Sequence, residues 1–363
     1  MSNNGLLFIP DISGFTKFVN ETAIEHSRYI IGELLENIIN SNQIGLTVSE
    51  VEGDAVLFYR FGKTPSLEEV YRQVEGMFCN FQKQLKNYET RRACQCSACT
   101  AAINLSLKVI THYGEFSTYN VQKYSKLIGK DVIVAHQLLK NDIDLHEYWL
   151  VTNDLFTPKT STDLPEWMTW QQGNKQTEKG EVGFQYSMLS SLKKRVQADP
   201  ISDLELGDNK IKMISESKTI DAPSMTILSV IGNFSLRPKW MEGITSVDQA
   251  SHPINHIGVK HRSVFNNREM VFYSSSFSQN NDAFSYSETD EKKTMAIYFT
   301  LKPLEENKTL IVIDYYVKKD AFTQLFFPLF MKNKLSRQFA KSLDNLEELS
   351  RLPAIQKRMV NIN

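Results

Sequence analysis

Two apolar runs in this chain each stop at an aspartate: Phe8-Ile9-Pro10-Asp11-Ile12-Ser13-Gly14-Phe15-Thr16 and, further on, Val51-Glu52-Gly53-Asp54-Ala55-Val56-Leu57-Phe58. Each run reads as a buried strand meeting an Asp where turn chemistry begins, so both carboxylates sit at the ends of rigid elements. Such a pair is how a protein builds an oxygen site for a hard cation. Mg2+ or Mn2+ takes one or two carboxylates and completes its shell with water and substrate phosphates. Each Asp also has a plainer reading: Asp11 as the cap of the amphipathic run Phe15 to Ile39, and Asp54 as a turn residue after Gly53.

Taken together, the two segments resemble the signature of the class III nucleotidyl cyclases, in which an Asp-Ile-x-Gly-Phe-Thr strand end and a Gly-Asp hairpin hold two metal ions against a nucleoside triphosphate. The resemblance implies Asp11, the Ile12 carbonyl and Asp54 as metal ligands, and Gly14, Phe15 and Thr16 against the phosphates. It places Glu50 and Lys126 where adenylyl cyclases carry a purine-reading Lys and Asp respectively, with the charges exchanged. The two would either pair with each other or favour a guanine edge. Lys126 to Leu138 resembles the cyclase segment in which a glycine turn, here Gly129, opens a helix. On that helix the family carries an Asn that orients the ribose and an Arg that steadies transition-state charge; the matching positions are Ile133 and Gln137. Neither replaces what is lost, so no catalytic residue is assigned, and rescue would need Lys130, Lys140 or a partner chain's arginine. Because cyclase-family sites form between two such domains, a homodimer or related partner is implied.

The element order supports this frame. A strand at Leu6 to Ile9, a helix over Thr16 to Asn40, a hairpin of Gly45 to Val51 and Ala55 to Arg60, a helix over Ser66 to Tyr88, and an alternating strand over Leu105 to Tyr113 give the split βαβ order of a ferredoxin-like core. Further strands at Tyr148 to Thr152 and Glu181 to Met188 close a first domain at 1–190, with 191–209 read as a linker.

The second half changes pattern. A strand at Ile211 to Ile220, a helix opening at Ala222-Pro223-Ser224, five meandering strands from Gly258 to Lys318, and an amphipathic helix over Leu325 to Arg351 form a domain at 210–352, with 353–363 as a tail. This order, with Arg237-Pro238-Lys239-Trp240 after the first short helix, resembles the START-like helix-grip fold of polyketide cyclases and related lipid-binding proteins. The resemblance implies a hydrophobic ligand or lipid between sheet and helix, and Trp240, Phe272 and Tyr298 are candidates for that cavity; a filled core is the alternative. The whole chain is expected to be α+β, a cyclase-type domain followed by a helix-grip domain.

Cysteine usage adds one more site. Cys94, Cys96 and Cys99 put three thiols within six residues, and a zinc site would need a further ligand from Cys79, His112 or outside. The alternative is small apolar filler. The cysteine insertion and the following Leu105 to Glu115 resemble a bacterial group of uncharacterised cyclase-like proteins, and His112-x-Gly114 matches the cyclases' His-x-Gly strand end, where the His is usually structural.

Charge is close to balanced, with 41 Lys plus Arg against 42 Asp plus Glu, which gives no electrostatic case for nucleic acid or an anionic membrane. No window reaches the roughly 18 apolar residues of a membrane span, and the N-terminus has no signal-peptide pattern, so a cytoplasmic location is expected. Two functions are compatible with these readings. One is a degenerate cyclase-type domain that binds metal and a nucleoside triphosphate and passes that state to the START-like half in signalling or regulation. The other is an active cyclase acting on ATP or GTP.

Overall fold

The computed structural model describes residues 3–22, 24–92, 96–156, 164–200, 204–249, 255–280, 283–319, 332–353 and 355. The chain is α+β and divides into two compact units. The first comprises Met1–Asn20, Ile30–Lys86 and Ala101–Ala198; the second comprises Glu21–Tyr29, Asn87–Thr100 and Asp199–Asn363.

The first unit is built on β1 (Asn3–Ser13), in which Leu6, Leu7, Phe8 and Ile9 are all buried. A continuous apolar run of this kind belongs to a strand covered on both faces. In chain order, helices α1 (Phe15–Glu21) and α2 (Ile24–Asn40) follow, then β2 (Thr47–Glu52), β3 (Ala55–Phe61), α3 (Leu67–Arg91), α4 (Ser97–Ala101) and β4 (Ser106–Val121), of which the start of α2, the end of α3 and most of α4 belong to the second unit. Next come β5 (Tyr124–Ile128), α5 (Lys130–Leu139), β6 (Tyr148–Thr152), β7 (Trp170–Thr177), β8 (Gly180–Met188) and α6 (Ser190–Lys193). The sheet runs β2-β3-β1-β4-β6-β8-β7, and its first four strands, antiparallel throughout, are the ferredoxin-like core.

Several boundaries differ from the sequence reading. The helix expected over Thr16 to Asn40 is two helices, the first ending at Glu21 and the second beginning at Ile24. The strand expected to stop before Gly114 continues to Val121 and pairs with β5. Gly114 is needed for close approach instead: a Cβ there would meet the Asp131 carboxyl carbon at 2.3 Å. Strand β7, Trp-Gln-Gln-Gly-Asn-Lys-Gln-Thr, was not expected because a polar edge strand has no apolar alternation to read. The stretch read as a linker carries α6 and buries Leu192, Val196 and Leu206.

The second unit holds β9 (Lys210–Ile220), α7 (Ser224–Gly232), α8 (Arg237–Trp240), β10 (Ile244–Gln249), β11 (Lys260–Phe265), β12 (Arg268–Gln279), β13 (Phe284–Asp290), β14 (Met295–Glu305), β15 (Lys308–Lys318) and α9 (Lys332–Ser350). Its sheet, in the order β10-β11-β12-β13-β14-β15-β9, is antiparallel throughout. Leu335, Phe339, Leu343 and Leu346 form one stripe of α9 and share a core with Ile297, Phe299, Ile311 and Ile313 of the sheet. This is the helix-grip arrangement. The expected start of α9 at Leu325 lies outside the described residues.

Inside this unit Arg237, at the start of α8, makes a two-pronged ion pair with Glu288 of β13, at 2.8 and 2.6 Å, with both side chains almost fully buried. Arg237 also donates to the Ile231 carbonyl at 3.0 Å, and Tyr286 donates to Glu288 at 2.7 Å. Burial opposes the Glu288 charge, but Arg237, with help from His261 and the Tyr286 hydroxyl, holds its carboxyl down to about 2. His261, stacked between Phe234 and Phe272, is driven to about 4 by burial and is therefore neutral at pH 7. Glu288→Gln should cost about 3 to 5 kcal/mol of unfolding free energy, because it leaves a buried guanidinium uncompensated, whereas the double change Arg237→Met with Glu288→Met should recover most of it. Urea titration of the three proteins checks this; a double variant no better than Glu288→Gln would refute the charge-compensation account.

Candidate functional site

The paired carboxylates belong to the first unit. Asp11 stands opposite Ala55 across β1 and β3, and opposite Lys108 across β1 and β4. The Ile12 amide donates to the Asp54 carbonyl at 2.9 Å, which ties the β2–β3 turn to the end of β1. The turn itself uses Gly53 at φ +61°. Gly14, at φ +89°, then bends the chain so that its carbonyl accepts the Phe18 amide at 2.9 Å and α1 begins.

These residues open onto a cavity of about 1000 Å³ whose lining includes Asp11, Ile12, Asp54 and the Gly14-Phe15-Thr16 segment. Ile133 and Gln137 of α5 line the same cavity, as do Lys17, Lys108, His136, Lys140 and His146. Lys108 was not among the expected residues. Its ammonium lies 3.4 Å from the Asp11 carboxylate and donates to the Leu139 carbonyl at 3.2 Å, at the end of α5. The available signal was register: in a ferredoxin-like sheet β1 and β4 are neighbours, and Lys108 falls opposite Asp11.

Burial pushes the Asp11 carboxyl up to about 6; Lys108 opposes the rise, and the neighbouring Asp54 charge adds to it. Asp54 is also raised, chiefly by burial, with a backbone hydrogen bond and Lys108 opposing. Two neighbouring carboxylates that resist ionisation chiefly through burial form a donor set that a hard cation would relieve. The residues therefore fit Mg2+ or Mn2+, with Lys108 as a built-in competitor.

Glu50 and Lys126 are ion-paired with each other and are not part of the cavity lining. Lys126 is also drawn to Glu52, whose carboxylate lies 3.7 Å from His136 Nδ1. Lys130, at the start of α5, lines a different recess beside Asp131 and Lys179.

The proposed zinc ligands do not assemble as expected. His112 is spent elsewhere: its ring nitrogens lie 2.8 Å from Asp131 and 2.9 Å from Thr152, so neither is available to a metal. Burial works against the Asp131 charge, but His112, Lys179 and the Glu115 amide hold it well below the usual carboxylate range. Cys79 lies on α3, and burial raises its thiol pKa, with Glu75 adding and Arg195 opposing. Cys94 lies outside the described residues. Cys96 and Cys99 meet His26, which the sequence reading did not consider.

In the second unit a cavity of about 530 Å³ opens beside the Arg237–Glu288 pair and is lined by Phe272, Met241, Met270, Met295, Phe339 and others. Trp240 is not part of it; the ring is fully buried, edge-on to Phe299 at 6.1 Å. Tyr298 is not part of it either, because strand alternation turns Ile297 and Phe299 inward and Tyr298 outward, where its hydroxyl accepts from Lys210 at 2.8 Å.

A direct consequence of the raised Asp11 carboxyl is pH dependence. Because its folded value lies above the ordinary 3.8, this group makes the fold lose stability as pH rises from about 4 to about 6, and cation binding requires it deprotonated. Mn2+ affinity should fall below about pH 6, approaching about tenfold per pH unit, and level off above it. Calorimetric titration across that range checks the expectation, and an affinity that stays flat down to pH 5 would contradict it.

Residues 31–148 match the family described as "Protein of unknown function (DUF2652)", and residues 213–351 match the family described as "Polyketide cyclase / dehydrase and lipid transport". An uncharacterized protein of Mycobacterium tuberculosis, Rv2561/Rv2562, is 32% identical over 125 residues, which is 34% of this chain; the chain spans 57% of that relative's length. Among solved structures, the catalytic core of a rhodopsin-guanylyl cyclase in complex with ATPalphaS has a TM-score of 0.38 at 15% identity, covering 52% of this chain and 97% of that one. The adenylyl cyclase CyaB from P. aeruginosa has a TM-score of 0.37 at 14% identity, covering 52% and 95%. No helix among the described residues is long and apolar enough to cross a membrane. The chain joins an N-terminal part matched by a family without an assigned function to a C-terminal part that matches the polyketide cyclase / dehydrase and lipid transport family.

Proposed function

We propose that the first unit binds a divalent cation, Mg2+ or Mn2+, together with a nucleoside triphosphate, and turns it over very slowly or not at all. The second unit then binds a hydrophobic small molecule or lipid, and the two activities serve signalling or regulation. The observation that carries the reading is the composition of one cavity: Asp11 and Asp54 at one wall, Lys17, Lys108 and Lys140 around them, and Ile133 and Gln137 at the positions where a cyclase carries its Asn and Arg.

In this reading Asp11 and Asp54 hold the cation, with the Ile12 carbonyl as a further donor, and the bound cation neutralises phosphate charge. The backbone from Gly14 to Thr16 and the lysines meet the remaining phosphate oxygens. Ile133 offers no hydrogen bond to a ribose, and the Gln137 amide oxygen already accepts the Glu178 amide at 3.3 Å. Loss of one preorganised donor costs about a hundredfold to a thousandfold in rate, so binding survives where turnover does not. Since Glu50 and Lys126 neutralise each other, little discrimination between ATP and GTP is expected. A homodimer is part of the proposal, because cyclase-type sites are shared between two such domains.

A second reading, an active cyclase, rests on Lys140, a cation that lines the cavity three residues beyond Gln137. For the second unit, a 530 Å³ space lined by three methionines is within the size of small-ligand sites, and methionine adapts to irregular apolar shapes.

Titration of ATP and GTP in the presence of Mn2+, followed by assay for cyclic product, separates the readings. Wild type should bind both triphosphates comparably, Asp11→Asn with Asp54→Asn should lose at least about tenfold in affinity, and turnover should lie a thousandfold or more below the ~10 per second of ordinary enzymes. Cyclic nucleotide at ordinary rates, abolished by Asp11→Ala, would establish the second reading; equal triphosphate affinity in wild type and the double variant would remove both.

A further inference from the structure

The cysteine stretch gains a partner in the folded chain that lies far from it in sequence. His26, in the first turn of α2, brings its Nδ1 to 3.2 Å from Cys96 Sγ and 3.5 Å from Cys99 Sγ. The ligand atoms of all three residues lie within 4.8 Å of one another. All three belong to the second unit, His26 in Glu21–Tyr29 and the cysteines in Asn87–Thr100.

We propose that His26, Cys96 and Cys99 bind one zinc ion, independently of the nucleotide cavity. The distances are those of a tetrahedral site: with Zn–S near 2.3 Å and Zn–N near 2.05 Å, the sulfur and nitrogen corners are about 3.6 Å apart and two sulfur corners about 3.8 Å. The donor chemistry selects the metal class, since two thiolates and an imidazole suit zinc and reject Mg2+ and Ca2+, whose ligands are oxygens. Two thiolates also balance the dication, so a half-enclosed site carries no net charge.

The local backbone holds the sulfurs in place. Cys-x-x-Cys spans the opening turn of α4, where the Thr100 amide and hydroxyl both donate to the Cys96 carbonyl, at 3.0 and 3.1 Å, and Arg92 donates to the Cys99 carbonyl at 3.2 Å. Cys99 is fully buried, whereas Cys96 and His26 are half-buried, which leaves a side from which an ion enters. Among the described residues, three protein donors meet here, and the site clips the two segments together.

Full-length protein, reduced and loaded with zinc before dialysis, provides the test by metal analysis and native mass spectrometry. One zinc per chain is expected. His26→Ala and Cys99→Ser should each weaken it by at least about tenfold, the lower bound seen even for outer-shell partners. Co2+ loaded in place of zinc should show thiolate-to-metal charge-transfer absorption that Cys96→Ser removes. His26→Cys, which supplies another ligand at the same position, should restore binding, and that separates a ligand role from a packing role. Cys79→Ser should change nothing. Reduced wild type that takes up no zinc, or unchanged affinity in His26→Ala, would overturn the proposal.

Discussion

Two half-buried carboxylates, one of them 3.4 Å from the Lys108 ammonium, are the constraint around which the cavity of the first unit is arranged. Asp11 and Asp54 meet because β1 lies between β3 and β4, and Lys108 reaches them because it occupies the position of β4 opposite Asp11. Burial of Asp11, with the Asp54 charge adding, outweighs Lys108, so the Asp11 carboxyl remains raised to about 6. The deficit of positive charge is what a divalent cation would supply. The same lysine would limit how tightly such a cation is held, because the ion and the ammonium would compete for one carboxylate.

The second unit solves the opposite problem, with charge matched inside. Arg237 and Glu288 are buried together with both guanidinium prongs donating to the carboxylate, and Tyr286 links the pair to Asn255 and Ser274 through hydrogen bonds of 2.9 Å. A buried pair of this kind adds little net stability compared with apolar packing, but its geometry is specific. Here it fixes α8 against β13, and both residues reach the edge of the apolar cavity. A ligand in that cavity would meet methionine and aromatic surface along most of its length and this ion pair at one end.

How much was legible depended on whether the signal was local. The two Asp-ended runs, the extent of β6 and the strands β9 and β15 were readable because each is a short apolar-rich stretch. Tyr298 was assigned to the cavity on residue type, although its neighbours Ile297 and Phe299 already fixed it on the outer face. Trp240 was placed there for the same reason and packs as core. Lys108 needed the strand register, which is set by pairing rather than by sequence alone. His26 lies 70 residues from Cys96, and a single His in an amphipathic helix has no spacing to mark it. His112 was the nearer candidate, but Asp131 and Thr152 engage both of its nitrogens.

The central claim is that the carboxylate pair binds cations in competition with Lys108, and that Lys108 then serves the phosphates. Calorimetric titration of Lys108→Met with Mn2+ alone, and then with Mn2+ and ATP, tests it most directly. Removing the competing ammonium should tighten Mn2+ at pH 7.5 by several-fold and weaken the triphosphate by about tenfold, the two affinities moving in opposite directions. Both affinities falling together would mean that Lys108 is only structural, and the account of this cavity would fail.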